Sequence, residues 1–379
     1  MRTSLVSNFL AVILFSLGPV LFAKESSGET GGPQGTKEEI REYIAHHLQD
    51  SHDFSIASYT DASGEVVHWG FPLPVILWDN GLKVFSSARF HHGETVAEVG
   101  GNYYRLYHSK IYKTDAGGTI RYDEDQHPVN QKPLDFSITK NVVMMLVTGL
   151  LLFWLFTGMA RNYGKNNGIP MGIGKFFEPI VLYIRDDIAI PNIGEKKYSR
   201  YMPLLLTVFF FIWFLNMFGL TPLGVNVTGN IAVTTALALI VFLVTNFTGT
   251  RDYWKHILDP LGDGMPWFGK LIIYIILVPI EILGIFIKPF ALLIRLYANM
   301  TAGHVVLMSL IGLIFIFKSW VGGPLSFGLS FAISLIEVLV ALLQAYIFTM
   351  LSALYFGFAS EEHDHGHGHE HEEPELANL

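Results

Sequence analysis

The chain has 379 residues, of which 51% are hydrophobic and only 15% are charged, and its formal net charge is −8. Charged residues cluster between long apolar runs, a composition typical of membrane proteins. Much of the negative charge belongs to an acidic C-terminal tail, so the charge balance does not favour nucleic-acid binding. The absence of cysteine excludes disulfides, iron–sulfur clusters, c-type haem and thiolate zinc sites.

Residues 1–23 have the pattern of a secretory signal peptide. Arg2 precedes an apolar run that ends at Leu21-Phe22-Ala23, and we expect cleavage near Ala23. Because Leu21 is larger than the residue that such cleavage sites prefer, an uncleaved signal anchor is the alternative. Both interpretations place the residues that follow outside the cytoplasm.

Residues 24–135 are polar and predict a small, partly β extracytoplasmic region. A helical pattern at 37–48 precedes several strand-like runs. Two of the turns between these runs, 79–81 (Asp-Asn-Gly) and 114–118 (Thr-Asp-Ala-Gly-Gly), are typical of hairpins. Two histidine pairs could bind a metal, but without a third clear ligand we expect surface residues instead: His46, His47, His91 and His92.

Residues 136–360 contain the longest apolar runs and predict a transmembrane domain of about five helices. The apolar runs cover 141–160, 201–220, 231–247, 267–317 and 326–358. Charged residues interrupt the helical pattern of 171–190, which favours an amphipathic helix that lies in the membrane interface.

The last two runs are too long for a simple crossing. A single helix over 267–317 would extend about 75 Å, against a hydrocarbon core of about 30 Å. We therefore expect either two helices or one long tilted helix that kinks at Pro279 and Pro289. The run at 326–358 is likewise expected to be long and tilted.

Loop charges predict the orientation in the membrane. Seven Lys and Arg residues lie between 161 and 200, whereas the turn at 221–229 has none. The positive-inside rule places the N-terminal region outside and, after five spans, the C-terminus in the cytoplasm. For the His-rich and acidic tail at 361–379, a disordered cytoplasmic segment is favoured over a metal-capturing one. The predicted fold class is an all-α polytopic membrane protein with a small β-rich external region.

Four polar residues share one face of the run at 267–317. Lys288 and Glu281 precede Arg295 by seven and fourteen positions, and Asn299 follows it by four. At about 100° per residue, all four fall within about 40° of one another. Burying a guanidinium in hydrocarbon costs about 2.5–3.5 kcal/mol on insertion scales, so an intramembrane Arg indicates function. This polar stripe requires a partner other than lipid.

A second polar group involves the last run. His304 lies nine positions after Arg295, on roughly the opposite side of the helix, and Glu337 is the carboxylate available to it. Gln344 follows Glu337 by seven positions and shares its helix face. A His–carboxylate pair in a low-dielectric setting is either a proton relay or a structural lock between two helices, and the spacing favours neither.

The segment IRLYANMTAGH (294–304), preceded by ILGIFIKPF and followed by LLQAYIFTMLSALY, resembles subunit a of the membrane sector of F-type ATP synthase. The resemblance covers about residues 135–360. NVTGNIAVTTALAL and YIAHHL are also similar to that family. Carried over by position, Arg295 is the family's essential arginine, which faces the carboxylate of the rotating c-ring. Asn299 and Gln344 are its polar neighbours, and Glu281 is the acidic residue one segment earlier.

The resemblance also implies roles for the second polar group. His304 and Glu337 correspond to a coupled pair in the half-channel that opens to the outside, with the His and the acid in the reverse of the order found in many bacterial members. The implied protein is a non-catalytic stator subunit of the bacterial inner membrane that translocates ions, with the proton as the expected ion, and couples their flow to rotation and ATP synthesis.

The implied partners are the c-ring, the peripheral-stalk b subunits, the lipid bilayer and, indirectly, the catalytic F1 sector. No P-loop pattern is present in the sequence, and no cofactor, metal or nucleic acid is implied.

A secondary ion or metal transporter is the main alternative. It would predict inverted repeats and paired metal ligands within one helix, neither of which the sequence shows, and it would leave Arg295 without a role. A membrane scaffold for the external region is a further alternative, for which intramembrane charges would be an unnecessary cost.

Overall fold

The structure is a computed structural model, and it describes residues 49–60, 66–221, 225–259, 267–317 and 322–361. The predicted signal peptide, the helical pattern at 37–48 with its two histidines, and the C-terminal tail after Glu361 lie outside the described residues.

The N-terminal part of the described chain is built from short antiparallel strands. These are β1 (Asp53–Thr60), β2 (Val66–Pro72), β3 (Pro74–Trp78), β4 (Leu82–Ser86), β5 (Val96–Val99), β6 (Asn102–Tyr107), β7 (Lys110–Thr114) and β8 (Leu134–Asp135), with a 3₁₀ helix (Ser87–Gly93) between β4 and β5. β1 pairs with β2, β3 is the central strand of the sheet β4-β3-β8, and β6 is the central strand of the sheet β5-β6-β7.

One of the two predicted hairpins is present and the other is wrong. β3 and β4 pair in register across residues 79–81. By contrast, β7 pairs with β6 across a two-residue turn at His108 and Ser109, and residues 119–122 form no strand. Both turn residues have positive φ (47° and 58°), as a type I′ turn requires. Because neither is Gly or Asn, the sequence carries no signal for this turn.

The two three-stranded sheets pack face to face around a small core. Leu77 of β3, Tyr104 of β6 and Phe90 of the 3₁₀ helix are fully buried there. Asp79, just beyond β3, accepts hydrogen bonds from Lys113 Nζ at 2.7 Å and from the Tyr104 hydroxyl at 2.9 Å. This ion pair lies at the end of the core that adjoins the last residue of β3.

The rest of the described chain is helical. The helices are α1 (Lys140–Lys165), α2 (Gly174–Tyr183), a π-helical turn (Ile184–Ala189), α3 (Ile190–Ile193), α4 (Tyr198–Gly219), α5 (Ile231–Phe247), α6 (Arg251–Leu258), α7 (Trp267–Phe317) and α8 (Gly322–Ser360). Within the described ranges, α1, α4, α7 and α8 are long and apolar enough to cross a membrane, and α5 with α6, bent by 99° to each other, would supply a fifth span. The protein is therefore a mostly helical, multi-pass membrane protein.

α7 is one helix from Trp267 to Phe317, so this run is not divided into two helices, and its tilt and its kinks at Pro279 and Pro289 stay predictions. It packs along α8 and against α5, and α8 packs in turn on α4. The predicted interfacial run is helical from 174 to 193, and buried residues such as Ile184 and Ile188 pack it onto the same core as α4.

The β-rich part sits directly on one end of the helices. Phe54 and Leu73 pack against Met144 of α1, Leu215 of α4 and Val225 of the turn after α4. β3 starts beside this contact and runs away from the helices. The start of α1, the end of α4 and the start of α5 therefore lie on one side of the bundle, which we call the β side.

Asp50 joins this part of the chain to the starts of two helices. Its carboxylate accepts hydrogen bonds from Thr139 Oγ1 at 2.9 Å and from the Asn141 N–H at 3.2 Å, at the start of α1. It also accepts one from Asn230 Nδ2 at 3.5 Å, at the start of α5. Since Thr139 makes no capping bond with its own side chain, Asp50 supplies the acceptor for the first turn of α1. Burial raises the pKa of Asp50 above its ordinary value of 3.8.

Candidate functional site

Arg295 and Asn299 lie on a face of α7 that no described residue covers. The exposed residues one or two helical turns from Arg295 on this face include three small ones, namely Ala291, Ala298 and Ala302, and the larger Ile294 is exposed to one side. Small side chains let a second helix approach closely. This face, which we call the Arg295 face, therefore has the shape of a helix-packing surface with a cation at its centre.

The other two members of the predicted polar stripe lie toward the start of α7. Lys288 is exposed and Glu281 is partly exposed in the described structure. The opposite side of α7 is apolar and buried, with Leu292, Leu296 and Met300 each 1–2% exposed. This buried side fixes the rotation of α7, so the polar stripe points away from the core.

Gln344 meets Arg295 at the seam between the last two helices. The two residues line one crevice together with Leu292, Leu296, Ile347 and Phe348. Gln344 is buried, whereas Arg295 is exposed. The structure thus brings together two of the predicted residues that are 49 positions apart in the sequence.

His304 faces the interior, away from the Arg295 face. It is 2% exposed, and its Nε2 has no hydrogen-bond partner among the described residues. The ring lies against α4, where a Cβ on Gly219 would be 3.2 Å from Nε2. A buried ring nitrogen without a partner is costly, so this position is expected to serve a purpose beyond packing.

Glu337 approaches the same part of α7 from α8. Its carboxyl group lies so close to Gly303 that a Cβ there would overlap it. Glu337 is therefore in contact with the residue next to His304, but no hydrogen bond joins the two side chains in the described structure. The predicted pair is close in the fold without being directly bonded.

Asn216 links three elements near these residues, and no role was predicted for it. Its Nδ2 donates to the Ala341 carbonyl of α8 at 3.3 Å, and its Oδ1 accepts from Thr228 Oγ1 at 2.6 Å. Asn216 precedes Gly219 by one turn of α4, and Ala341 follows Glu337 by one turn of α8. We call Asn216, Thr228, His304 and Glu337 the β-side cluster. For Asn216, the only signal in the sequence was an Asn in an otherwise apolar run.

A second polar site lies nearer the start of α7, on the side of the bundle opposite the β side. A cavity between α5, α6, α7 and α8, the Lys288 cavity, has these polar residues in its lining: Thr245, Asn246, Tyr253, Lys288 and Tyr355. Lys288 Nζ lies 6.0 Å from the ring centre of Tyr355 and 5.5 Å from that of Phe358, within reach of cation–π attraction.

Arg295 lies between these two polar sites along α7. At 1.5 Å per residue it is about 13 Å from His304 and about 10 Å from Lys288 in the axial direction. No group of three His, Asp or Glu side chains that could hold a metal ion is found among the described residues.

Comparison with known proteins identifies the helical part. Residues 142–357, more than half of the chain, match the family model described as ATP synthase A chain. The chain belongs to this family. The resemblance to subunit a of F-type ATP synthase is therefore confirmed.

Individual relatives agree with this ATP synthase A chain assignment. ATP synthase subunit a of Myxococcus xanthus is 47% identical over 231 residues, which are 59% of this chain and 73% of the relative. That of Chloroherpeton thalassium is 45% identical over 235 residues, 60% of this chain and 69% of the relative. That of an Anaeromyxobacter species is 34% identical over 347 residues, 89% of this chain and 74% of the relative.

The N-terminal part of this ATP synthase A chain protein has a match of its own. Residues 43–136 match a family model described as a domain of unknown function, DUF8433. The matched range ends at β8 and begins ahead of the first described residue.

Proposed function

We propose that this chain is the non-catalytic, ion-translocating stator subunit of a rotary ATP synthase, with Arg295 facing the carboxylates of a c-ring and the proton as the expected ion. The observation that carries the proposal is the position of Arg295: it lies on an uncovered face of small side chains, between two polar sites at opposite ends of the helix bundle.

The Arg295 face needs a specific partner. An arginine that faced lipid would cost several kcal/mol, and the crevice with Gln344 leaves the guanidinium side open. A neighbouring helix that carries a carboxylate would supply the opposite charge, and the small residues around Arg295 would let it come close. An opposite charge at close range favours the ionised carboxylate, so Arg295 would force the proton off a ring carboxylate that passes it.

The β-side cluster would form the half-channel on the side of the β-rich part. The free Nε2 of His304 can accept or donate a proton, and Glu337 offers a second exchangeable site on the facing helix. Asn216 and Thr228 add polar groups on the path from the β side. Protons would pass from this cluster to the ring carboxylate that approaches the Arg295 face.

The Lys288 cavity would form the half-channel on the opposite side. Its hydroxyl, amide and ammonium groups can hold water beside α7, close to where α8 ends. Because the two polar sites are displaced along α7 and Arg295 lies between them, a cation that leaked directly from one to the other would have to pass the guanidinium charge. Ion flow is thereby coupled to rotation of the ring, with the membrane potential supplying about 2.3 kcal/mol per charge per 100 mV.

Partners and location follow from the same arrangement. The c-ring meets the Arg295 face, the peripheral-stalk b subunits hold the chain still, and the catalytic F1 sector is engaged through them. Residues 161–200, with seven Lys and Arg, connect helix ends on the side opposite the β-rich part. The positive-inside rule puts that side in the cytoplasm of a bacterial cell and the β-rich part outside its inner membrane.

The deciding experiment is ATP-driven pumping by the assembled complex in inverted membrane vesicles, followed with a pH-sensitive dye. Arg295→Ala is expected to abolish pumping while the complex stays assembled. Arg251, exposed at the start of α6 and off the polar stripe, gives the matched control: Arg251→Ala should pump like the parent. Normal pumping by an assembled Arg295→Ala complex would overturn the proposal.

The transporter alternative is not favoured, because the chain belongs to the ATP synthase A chain family. It predicts that the purified chain moves ions by itself in liposomes. The proposal predicts no sustained transport without a c-ring.

A further inference from the structure

The turn at residues 225–230, between α4 and α5, extends the β-side cluster toward the β-rich part. Thr228, which donates to Asn216 at 2.6 Å, is two residues from Asn230 at the start of α5. Asn230 Nδ2 donates in turn to the Asp50 carboxylate at 3.5 Å. Polar side chains on one short turn therefore lead from the β-side cluster to a carboxylate that lies outside the helices.

His304 faces the same turn. A Cβ on Gly219 would lie 3.2 Å from His304 Nε2 and 3.4 Å from the Val225 carbonyl oxygen, so these two atoms are no more than about 7 Å apart, a gap that one or two waters can bridge. Nε2 has no hydrogen-bond partner among the described residues. The turn is therefore the polar surface to which bridging water would connect the His304 ring.

Asp50 lies where this turn meets external water. Its carboxylate is bonded to the starts of α1 and α5, yet the residue is only partly buried. Asn141 beside it is 4% exposed, and its Oδ1 has no partner among the described residues, although its backbone N–H donates to Asp50. A buried amide oxygen without a protein partner is normally satisfied by water. Asp50 is therefore accessible from outside and lies beside a position suited to internal water.

The surroundings of Asp50 make its carboxyl group more basic than that of an ordinary Asp. Burial raises the pKa of Asp50 above its ordinary value of 3.8, against smaller effects of its hydrogen bonds and of two nearby basic groups. These groups are Lys140, at the start of α1, and His52, ahead of β1, which is itself bonded to Asp135 of β8 at 2.9 Å. The start of α5 contributes the neutral Asn230. Because the pKa is raised, Asp50 can take up a proton at a higher pH than a fully solvated Asp.

We propose, resting on the proposed function, that Asp50 is the outermost proton-carrying group of the half-channel on the β side. Its carboxylate takes up a proton from external water and releases it to water held along the turn by Asn230 and Thr228. That water passes the proton to the free Nε2 of His304 or to Glu337, so that only O–H and N–H bonds are broken and formed. The amide and hydroxyl side chains orient the water, and the proton resides in turn on Asp50 and on the two titratable members of the β-side cluster.

The pH dependence of ATP synthesis separates this role from one in which Asp50 only completes the first turns of α1 and α5. Inverted vesicles that hold the assembled complex have the external side in their lumen. ATP synthesis is driven by a fixed potassium diffusion potential while the lumenal pH is varied, and each variant is compared with the parent at the same pH. At pH 8 free protons are scarce and a collecting carboxylate raises their local supply, whereas at pH 5.5 they reach the half-channel without it. Asp50→Asn should therefore match the parent at about pH 5.5 and fall to about one-fifth of its rate or less at pH 8.

Three further variants make the comparison specific. Asp50→Glu keeps an acidic group and should stay closer to the parent at pH 8 than Asp50→Asn does. Asp125→Asn removes an exposed carboxylate of the β-rich part and should match the parent at both pH values. Asn230→Ser keeps a capping oxygen for the Ala232 N–H, but its side chain is too short to reach Asp50, so it should lose activity selectively at pH 8.

Two results would overturn the role of Asp50. An equal fractional loss at both pH values would assign Asp50 to helix capping alone, and parent-like synthesis by Asp50→Asn at pH 8 would show that no proton depends on it. Arg295→Ala in the same assay separates this proposal from the one on which it rests. If Arg295→Ala makes no ATP, either result overturns only the role of Asp50. Normal synthesis by Arg295→Ala would overturn the proposed function and the role of Asp50 with it.

Discussion

The Glu337 carboxyl group occupies the space that a side chain on Gly303 would fill. This contact brings an acidic group of α8 into the backbone groove of α7, one residue from His304. The same contact holds Glu337 beside α7, about 80° around the helix from Arg295. The position of the proposed half-channel therefore depends on a residue without a side chain.

Gly303→Ala is expected to displace the Glu337 carboxyl group or to separate the two helices, because overpacking a tight contact costs about 1–3 kcal/mol. ATP-driven pumping by assembled complexes should fall at least tenfold. Gly158→Ala in α1 is the control: it also lies in an apolar membrane-length helix, away from the Arg295 face, and its added Cβ would meet nothing within 4 Å. Equal pumping by the two variants would contradict the claim that the contact between Glu337 and Gly303 is needed for pumping.

Substituting Gln for His304 or Glu337 separates the relay from the structural lock. Gln preserves size and hydrogen bonding but cannot exchange a proton at neutral pH, so a relay predicts that His304→Gln and Glu337→Gln each lower pumping at least tenfold with assembly unchanged. Ser334→Ala, at a buried position one turn before Glu337, measures the effect of packing alone. Near-normal pumping by both Gln variants would favour the lock.

Asn216→Leu should weaken the association of α4 with α8. The substitution removes the hydrogen bonds to Ala341 and Thr228 and leaves the buried Thr228 hydroxyl without its acceptor, at an expected cost of about 1–3 kcal/mol. The measurement is the midpoint of thermal inactivation of the detergent-solubilised complex. Thr207→Val is the control, since this exposed hydroxyl bonds only within its own helix, to the Pro203 carbonyl. Equal midpoints for the two variants would show that the hydrogen bonds of Asn216 do not stabilise the packing of α4 on α8.

The ion pair of Asp79 should make the β-rich part sensitive to acid. The hydrogen bond from Lys113 lowers the pKa of Asp79 below its ordinary value of 3.8. Its stabilisation is therefore present above about pH 4 and is lost as the pH falls through the lowered value. Limited proteolysis of membranes between pH 5 and pH 3 should show this loss. Asp79→Asn should lower the folding stability of the region by about 2 kcal/mol at pH 7, because it leaves a partly buried Lys113 unpaired. The region should therefore already be protease-sensitive at pH 7.

Asp125→Asn is the control for that experiment, because Asp125 is exposed. If Asp79→Asn and Asp125→Asn were cleaved at the same rate at pH 7, the ion pair would contribute nothing measurable to the stability of this region.

Residue periodicity was sufficient to predict the spans and the polar stripe. Lys288, Arg295 and Asn299 share an exposed face because helix geometry converts spacing into direction without reference to any neighbour. The length of α7 could not be predicted in the same way, because Pro279 and Pro289 allowed both a break and a continuous helix.

Apart from the proximity of Gln344 to Arg295 and of Glu337 to His304, the contacts between distant segments could not be predicted from the sequence. Nothing in the sequence joins Gly303 to Glu337, or Asn216 to Ala341, because packing decides which helix faces meet. The prediction of the second hairpin was wrong for a local reason. The actual turn, at His108 and Ser109, has positive φ at residues that rarely adopt it. The glycines at 117 and 118 are a stronger turn signal, and they were misleading.

The hydrogen bonds of Asp50 imply an order of events during biosynthesis. The acceptor that completes the first turn of α1 is supplied by a residue 89 positions before Thr139 and 91 before Asn141. The ribosome makes chains from the N-terminus, at about 5–20 residues per second, so Asp50 emerges several seconds before α1, and the last strand of the β-rich part emerges just before it. A nascent chain whose β-rich part has misfolded would present α1 with no partner for its first turn. The β-rich part can thereby act as a quality checkpoint on insertion of α1.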